Sequence, residues 1–208
     1  MSNQHFVNPN SNSNFWKLHE KQGKPNNNSN FGNSHDKQTK HDKQLNKFLK
    51  KGEESKYHYK LALQYSREQK FDEALMELGI ARDTNSDPNM EKVFIFQIGM
   101  IYVMSRDYKK AIENFNSAEK MGFSEGESCF ERGKAYWRNR QPHEAIADFI
   151  KAIPAKKGLA CFHIGKVLSE LGEYNEALAA FETAKEMGFC KPELEIEIRL
   201  VTRRANFK

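Results

Sequence analysis

The strongest constraint on this chain is that it repeats itself. A small residue recurs at Ala74, Ala111, Ala145 and Ala177, at intervals of 37, 34 and 32 residues. Each follows a polar turn phrase, as in Lys70-Phe71-Asp72-Glu73 and Glu173-Tyr174-Asn175-Glu176. Four residues after each comes a large apolar side chain: Leu78, Phe115, Phe149 or Phe181. Seven after comes another alanine: Ala81, Ala118, Ala152 or Ala184. Twelve before stands a second small residue, Ala62, Gly99, Gly133 or Gly165, and three later Tyr65, Tyr102, Tyr136 or Leu168. Apolar residues fall at helical spacing throughout. A repeat of this period, with small residues in both halves, predicts two helices packed closely, then stacked unit upon unit.

This arrangement closely resembles the tetratricopeptide repeat family, whose unit is a helix–turn–helix of about 34 residues. The resemblance implies an all-α, right-handed solenoid of about four hairpins. The expected units are about 56–90, 91–125, 126–157 and 158–191 within a repeat domain over 56–190, followed by a capping helix over 191–208. Pro192 suits a first helical turn, and Arg199, Arg203 and Arg204 supply the polar side that a solenoid end needs. The proline that commonly closes such units is present only approximately, at Pro88 and Pro192. Two units end instead in Met121-Gly122-Phe123 and Met187-Gly188-Phe189, the pattern of a left-handed cap with its hydrophobic contact. Arg132 stands where the other units have Leu61, Ile98 and Ile164. It is expected to snorkel or to pair with an acid, and the third unit to pack less tightly.

Composition separates the remainder. Residues 1–35 are rich in Asn and Ser, a mixture that buries too little apolar surface to fold, so a disordered arm is expected. Residues 36–55 read as a basic, helical linker interrupted at Gly52. The formal net charge of +5 lies mostly here: residues 1–55 hold nine Lys against five acids, while 56–208 hold 24 basic and 23 acidic residues. A balanced repeat domain lacks the basic face of a nucleic-acid binder. An RNA-associated role for the basic N-terminal segment remains as an alternative. No window approaches the length of an apolar membrane span, no signal peptide is visible, and the three cysteines suit a reducing compartment, so a cytoplasmic site is expected.

No catalytic constellation, phosphate loop or paired Cys-x-x-Cys is visible, and neither enzyme activity, a cofactor nor a metal is expected. Cys129 and Cys161 occupy equivalent places on first helices and read as small core residues, with a disulfide or zinc site as the alternative. In the family that the repeats resemble, the first helices line a concave groove. The corresponding stripe includes Tyr59, Leu63, Phe96, Met100, Phe130, Lys134, Trp137, Arg138, Phe162 and Lys166, with aromatics at one equivalent position in every unit. Two readings follow. Either these rings pack internally, or they form an aromatic groove for a partner's peptide, with the cations orienting acidic residues beside its apolar anchors. A subclass of the family grips the acidic tails of heat-shock chaperones with Lys, Arg and Asn. The equivalent places here hold Tyr59, Leu63, Gln97, Glu127 and Glu131, so that clamp is missing.

The implied function is a non-catalytic adaptor or chaperone binding another protein. A secretion-chaperone-like protein holding an apolar segment of a secreted protein is a further alternative. Self-association through the groove, or through the Phe15-Trp16-Lys17-Leu18 cluster of the arm, is also open.

Overall fold

The computed structural model describes residues 35–206, with side chains at 47 and from 50 onward. The arm and its Phe15–Leu18 cluster thus lie outside the described residues, apart from His35. The chain divides into two units, Met1–Lys51 and Gly52–Lys208, and the hairpins all belong to the second. Every regular element among the described residues is helical. Helix α1 spans His35–Arg67 and α2 Phe71–Asp83; a short 3₁₀ turn, Pro88–Met90, leads into α3, Glu91–Met104. Then come α4 (Tyr108–Lys120), α5 (Glu125–Arg138), α6 (Pro142–Lys156), α7 (Gly158–Leu171), α8 (Tyr174–Glu186) and the trailing α9 (Pro192–Asn206). Gly52 does not interrupt α1. A single helical glycine costs only about 1 kcal/mol relative to alanine, too little to end a long helix.

The repeat phase read from the small residues matches the packing. Ala74, Ala111, Ala145 and Ala177 are completely buried, as are Phe115, Phe149 and Phe181. The glycines of the first helices face these rings. A Cβ at Gly99 would come within 2.8 Å of Phe115, and one at Gly133 within 3.0 Å of Phe149. The small residue therefore makes room for the large one four residues past the alanine, in its own hairpin. Beside Gly133 the Ala145 carbonyl also approaches, at 3.3 Å.

The turn inside each hairpin is built identically four times. The residue five before the alanine anchor has positive φ: Gln69 (61°), Arg106 (66°), Arg140 (63°) and Gly172 (83°). The next amide closes back on the first helix, Lys70 N to Tyr65 O, Asp107 N to Tyr102 O and Gln141 N to Tyr136 O each at 2.9 Å, and Glu173 N to Leu168 O at 3.0 Å. Units two and four end as their Gly-Phe sequences predict. Gly122 and Gly188 have φ of 77° and 85°, and the Phe123 and Phe189 amides donate to Ala118 O and Ala184 O at 2.9 Å. The final helix buries Leu194 and Val201 against unit four.

Candidate functional site

The third unit departs most from its neighbours, and Arg132 is the reason. Its guanidinium is buried and donates from Nε and NH2 to Asp148 at 2.6 and 2.8 Å. NH1 donates to Asn116 at 2.6 Å and also pairs with Glu119, both on α4 of the preceding unit. Pairing with an acid, expected from the sequence, is therefore what occurs. Looser packing is not: α5 and α6 pack against each other more extensively than the helix pairs of units two and four. Buried charge is tolerated because the guanidinium's donors find acceptors across a unit boundary. The polar cleft above it, between α4, α5 and α6, is lined by Glu119, Arg132, Tyr136, Asp148 and Lys151. Two carboxylates already neutralise its arginine, so it offers no net positive site.

Of the stripe read from the sequence, the four aromatics are buried. Tyr59, Phe96, Phe130 and Phe162 expose only 5%, 7%, 4% and 8% of their surface. Each is covered by another ring. Tyr59 meets Phe94 edge-on at 5.8 Å. Phe96 stacks on Phe123 at 4.2 Å and Phe162 on Phe189 at 4.7 Å. Phe130, in a unit that also lacks a Gly-Phe end, meets His163 of the next unit at 5.2 Å. These rings support the first-helix face rather than forming its open surface. Leu63 and Met100 are half-buried, and Met100 packs on the Phe96 cluster.

The rest of that face comes from the half-buried Lys134, Trp137 and Lys166 and the exposed Arg138, which the structure brings together around His163. Lys166 Nζ lies 5.5 Å from the Trp137 ring centre and 5.8 Å from that of Phe162. Arg138 lies 5.7 Å from the Trp137 ring, and Lys134 5.5 Å from Phe130. Cations held against ring faces gain from the ring quadrupole while keeping their heads toward water. Acids bracket them: Glu131 takes Lys134 at 2.7 Å, Glu197 takes Lys166 at 3.3 Å, and Trp137 Nε1 donates to Glu170 at 2.7 Å. His163 packs flat on Phe149 at 5.2 Å and edge-on to Trp137 at 6.0 Å. Its Nδ1 is buried with no hydrogen-bond partner among the described residues. Burial first, then the facing Lys134, Lys166 and Arg138, push its pKa down to about 3, so the ring is neutral. Sequence reasoning passed over His163, Glu170 and Glu197. The signal for His163 was its place immediately after Phe162, where a ring was needed to replace the missing Gly-Phe of unit three.

Elsewhere, Cys129 and Cys161 are buried core residues, as read from the sequence, and Cys190 is exposed; all three are free thiols. Burial first, then Asp148, raise the Cys129 thiol to about 11. Its Sγ lies within 4.8 Å of carboxylates from Glu119 and Glu125. A metal would need the thiolate, and Glu119 is already engaged by Arg132.

Stacked helix hairpins with a patterned first-helix face define a helical-repeat scaffold. Residues 126–156 and 159–187 match the sequence model of the tetratricopeptide repeat, and the helix hairpins before them continue the same phase. Anaphase-promoting complex subunit 3 of Schizosaccharomyces pombe is 29% identical over 128 residues, covering 61% of this chain. The match covers only 19% of that protein's length. Among solved structures, MamA 41-end from Desulfovibrio magneticus RS-1 is similar with a TM-score of 0.63 at 15% identity, over 74% of this chain and 87% of that one. YrrB, described as a TPR protein with an unusual peptide-binding site, gives 0.57 at 21% identity, over 76% and 84%. The first TPR of Spaghetti (RPAP3), bound to the HSP90 peptide SRMEEVD, gives 0.52 at 18% identity, over 57% and 95%. At these identities the likeness is one of fold. No helix among the described residues is long and apolar enough to cross a membrane.

Proposed function

We propose that the protein is an adaptor or chaperone that holds a peptide segment of a partner protein on the first-helix face of units three and four. The observation that carries this reading is the patch around Trp137, where Lys134, Arg138 and Lys166 stand on aromatic faces beside a half-buried indole. An aromatic or aliphatic side chain laid on Trp137 would exclude water from the cations around it. Acidic residues flanking that anchor would then compete with Glu131 and Glu197 for Lys134 and Lys166. The RPAP3 repeat, similar in fold, is bound to a peptide, which supports a peptide as the ligand. The detailed recognition differs, because Glu131 and Glu127 oppose a carboxylate clamp. The other members of the stripe, Tyr59, Leu63, Phe96, Met100, Phe130 and Phe162, serve in this reading as the packed support beneath the face. The free thiols agree with a cytoplasmic setting.

The test is selection from a displayed peptide library against the full chain, with counter-selection on Trp137→Ala and Lys166→Glu. Selected peptides should carry a bulky apolar residue next to acids, and the variants should lose them. Peptides retained by both variants would overturn the assignment. Phe96→Ala is a poor probe, because that ring is buried and its removal costs stability. A salt titration separates the RNA-associated alternative, since phosphate binding falls steeply with salt through counterion release.

A further inference from the structure

Helix α9 continues the repeat ladder. The helices α3, α5 and α7 each bury a pair of residues seven apart: Phe94 with Ile101, Ser128 with Ala135, and Ala160 with Val167. In α9 the buried pair is Leu194 and Val201. It is therefore placed as the first helix of a fifth unit, whose second helix does not occur among the described residues. The same register puts Ile196 at the position of the buried aromatics and Leu200 at that of Met100, Lys134 and Lys166. In the four hairpins the aromatic position is covered by a ring, and no more than 8% of it is exposed. Ile196 is 57% exposed and Leu200 43%. The glycine position, where Gly99, Gly133 and Gly165 admit the ring of a second helix, is Arg199 here. A second helix cannot seat over α9 in the manner of the other units.

What fits instead is set by the charge order along the helix. Glu193, Glu195 and Glu197 occupy its first half; Arg199, Arg203 and Arg204 occupy its second. The three arginines make no ion pair among the described residues. Acids at the start and bases at the end also suit the helix dipole, but that leaves two exposed apolar residues between them unexplained. The outward stripe Glu193, Ile196, Leu200, Arg203 has the 3-4-3 spacing of a helix–helix seam. It is complementary to itself when reversed. With a two-fold axis at the level of Ile198, Ile196 meets Leu200 of the other copy, and Glu193 meets Arg203, each contact occurring twice.

We propose that the outer face of α9 is a self-association surface, on which two copies of the chain pair through antiparallel α9 helices. The seam is short, since a helix of this length spans only about 22 Å, which places the dimer at the weak, reversible end of interfaces. Sedimentation equilibrium of the full chain, over concentrations up to about 1 mM, tests it. The expected result is a monomer–dimer equilibrium that Leu200→Glu weakens by about tenfold or more, with the far-UV circular dichroism unchanged. Arg203→Glu should weaken it too, and adding Glu193→Arg should restore it. A wild type that stays monomeric throughout would overturn the proposal. So would a dimer indifferent to Leu200→Glu, or a double charge swap no better than Arg203→Glu alone.

Discussion

Units two and four close themselves, whereas unit three is closed by its neighbours. Phe123 and Phe189 emerge from left-handed glycine caps and stack on the aromatic of their own first helix. In unit three, α6 passes to α7 through Lys157 alone, and the covering ring is His163 of unit four. Its apolar slot is filled by Arg132, whose partners include two residues of unit two. A self-closed unit depends mainly on local contacts. One closed by borrowed groups couples the units on either side, and two of the borrowed groups here, Glu119 and His163, are ionisable. The patch proposed to bind a peptide lies on this coupled part of the solenoid.

The comparison breaks most visibly at Asp148. Asp148→Ala leaves the buried Arg132 without its bidentate partner and should lower stability by about 3–5 kcal/mol. Arg132→Ile together with Asp148→Ala gives unit three the Ile164 and Ala180 of unit four, and should recover most of that loss. Urea midpoints of the two variants decide it: a double variant as unstable as the single one would mean that the lost charge pairing is not the cause.

A smaller effect follows from His163. Its pKa in the folded chain is about 3, below the ordinary 6.5, so folding favours the neutral ring. The associated stability is fully present above about pH 6.5 and is lost as pH falls toward 3. At pH 5 the loss should be about 2 kcal/mol. His163→Phe, which mimics the rings of units two and four, should be less sensitive between pH 7 and pH 5 by that amount. Equal sensitivity in thermal or urea melts would show that the ring is not held neutral by its burial.

The smallest effect lies in the hairpin turns. Arg140 holds φ of 63° where unit four has Gly172 at 83°. Arg140→Gly should relieve left-handed strain and stabilise by up to about 1 kcal/mol, and Gly172→Arg should cost a similar amount. Opposite signs would mean that the arginine side chain contributes more by packing than its backbone loses.

The hairpins were legible in the sequence because small and large residues recur in phase, and shape complementarity leaves little choice about which face packs. The caps at Gly122 and Gly188 were legible for the same local reason. The site was legible in part. The stripe of first-helix residues follows from the repeat phase, but phase alone does not say which members are covered. Phe123, Phe189 and His163 lie 27, 27 and 33 residues beyond the rings that they cover, a distance over which no local pattern speaks. The same holds for the Trp137–Glu170 and Lys166–Glu197 pairs. Gly52 misled because a glycine in a long helix costs little, whereas the left-handed turns at Gln69, Arg106 and Arg140 carry no glycine to mark them.

Two tryptophans, Trp16 and Trp137, occur in the chain. Two indole N–H resonances are therefore expected, and Trp16→Phe assigns them. Trp137 Nε1 donates to Glu170 on the proposed binding face. Titrating a library-selected peptide while following that resonance tests whether the Trp137 patch is the binding face. A saturable shift of the Trp137 indole is expected, with the same dissociation constant as that measured by calorimetry. Saturable binding that leaves the Trp137 indole unmoved would contradict it.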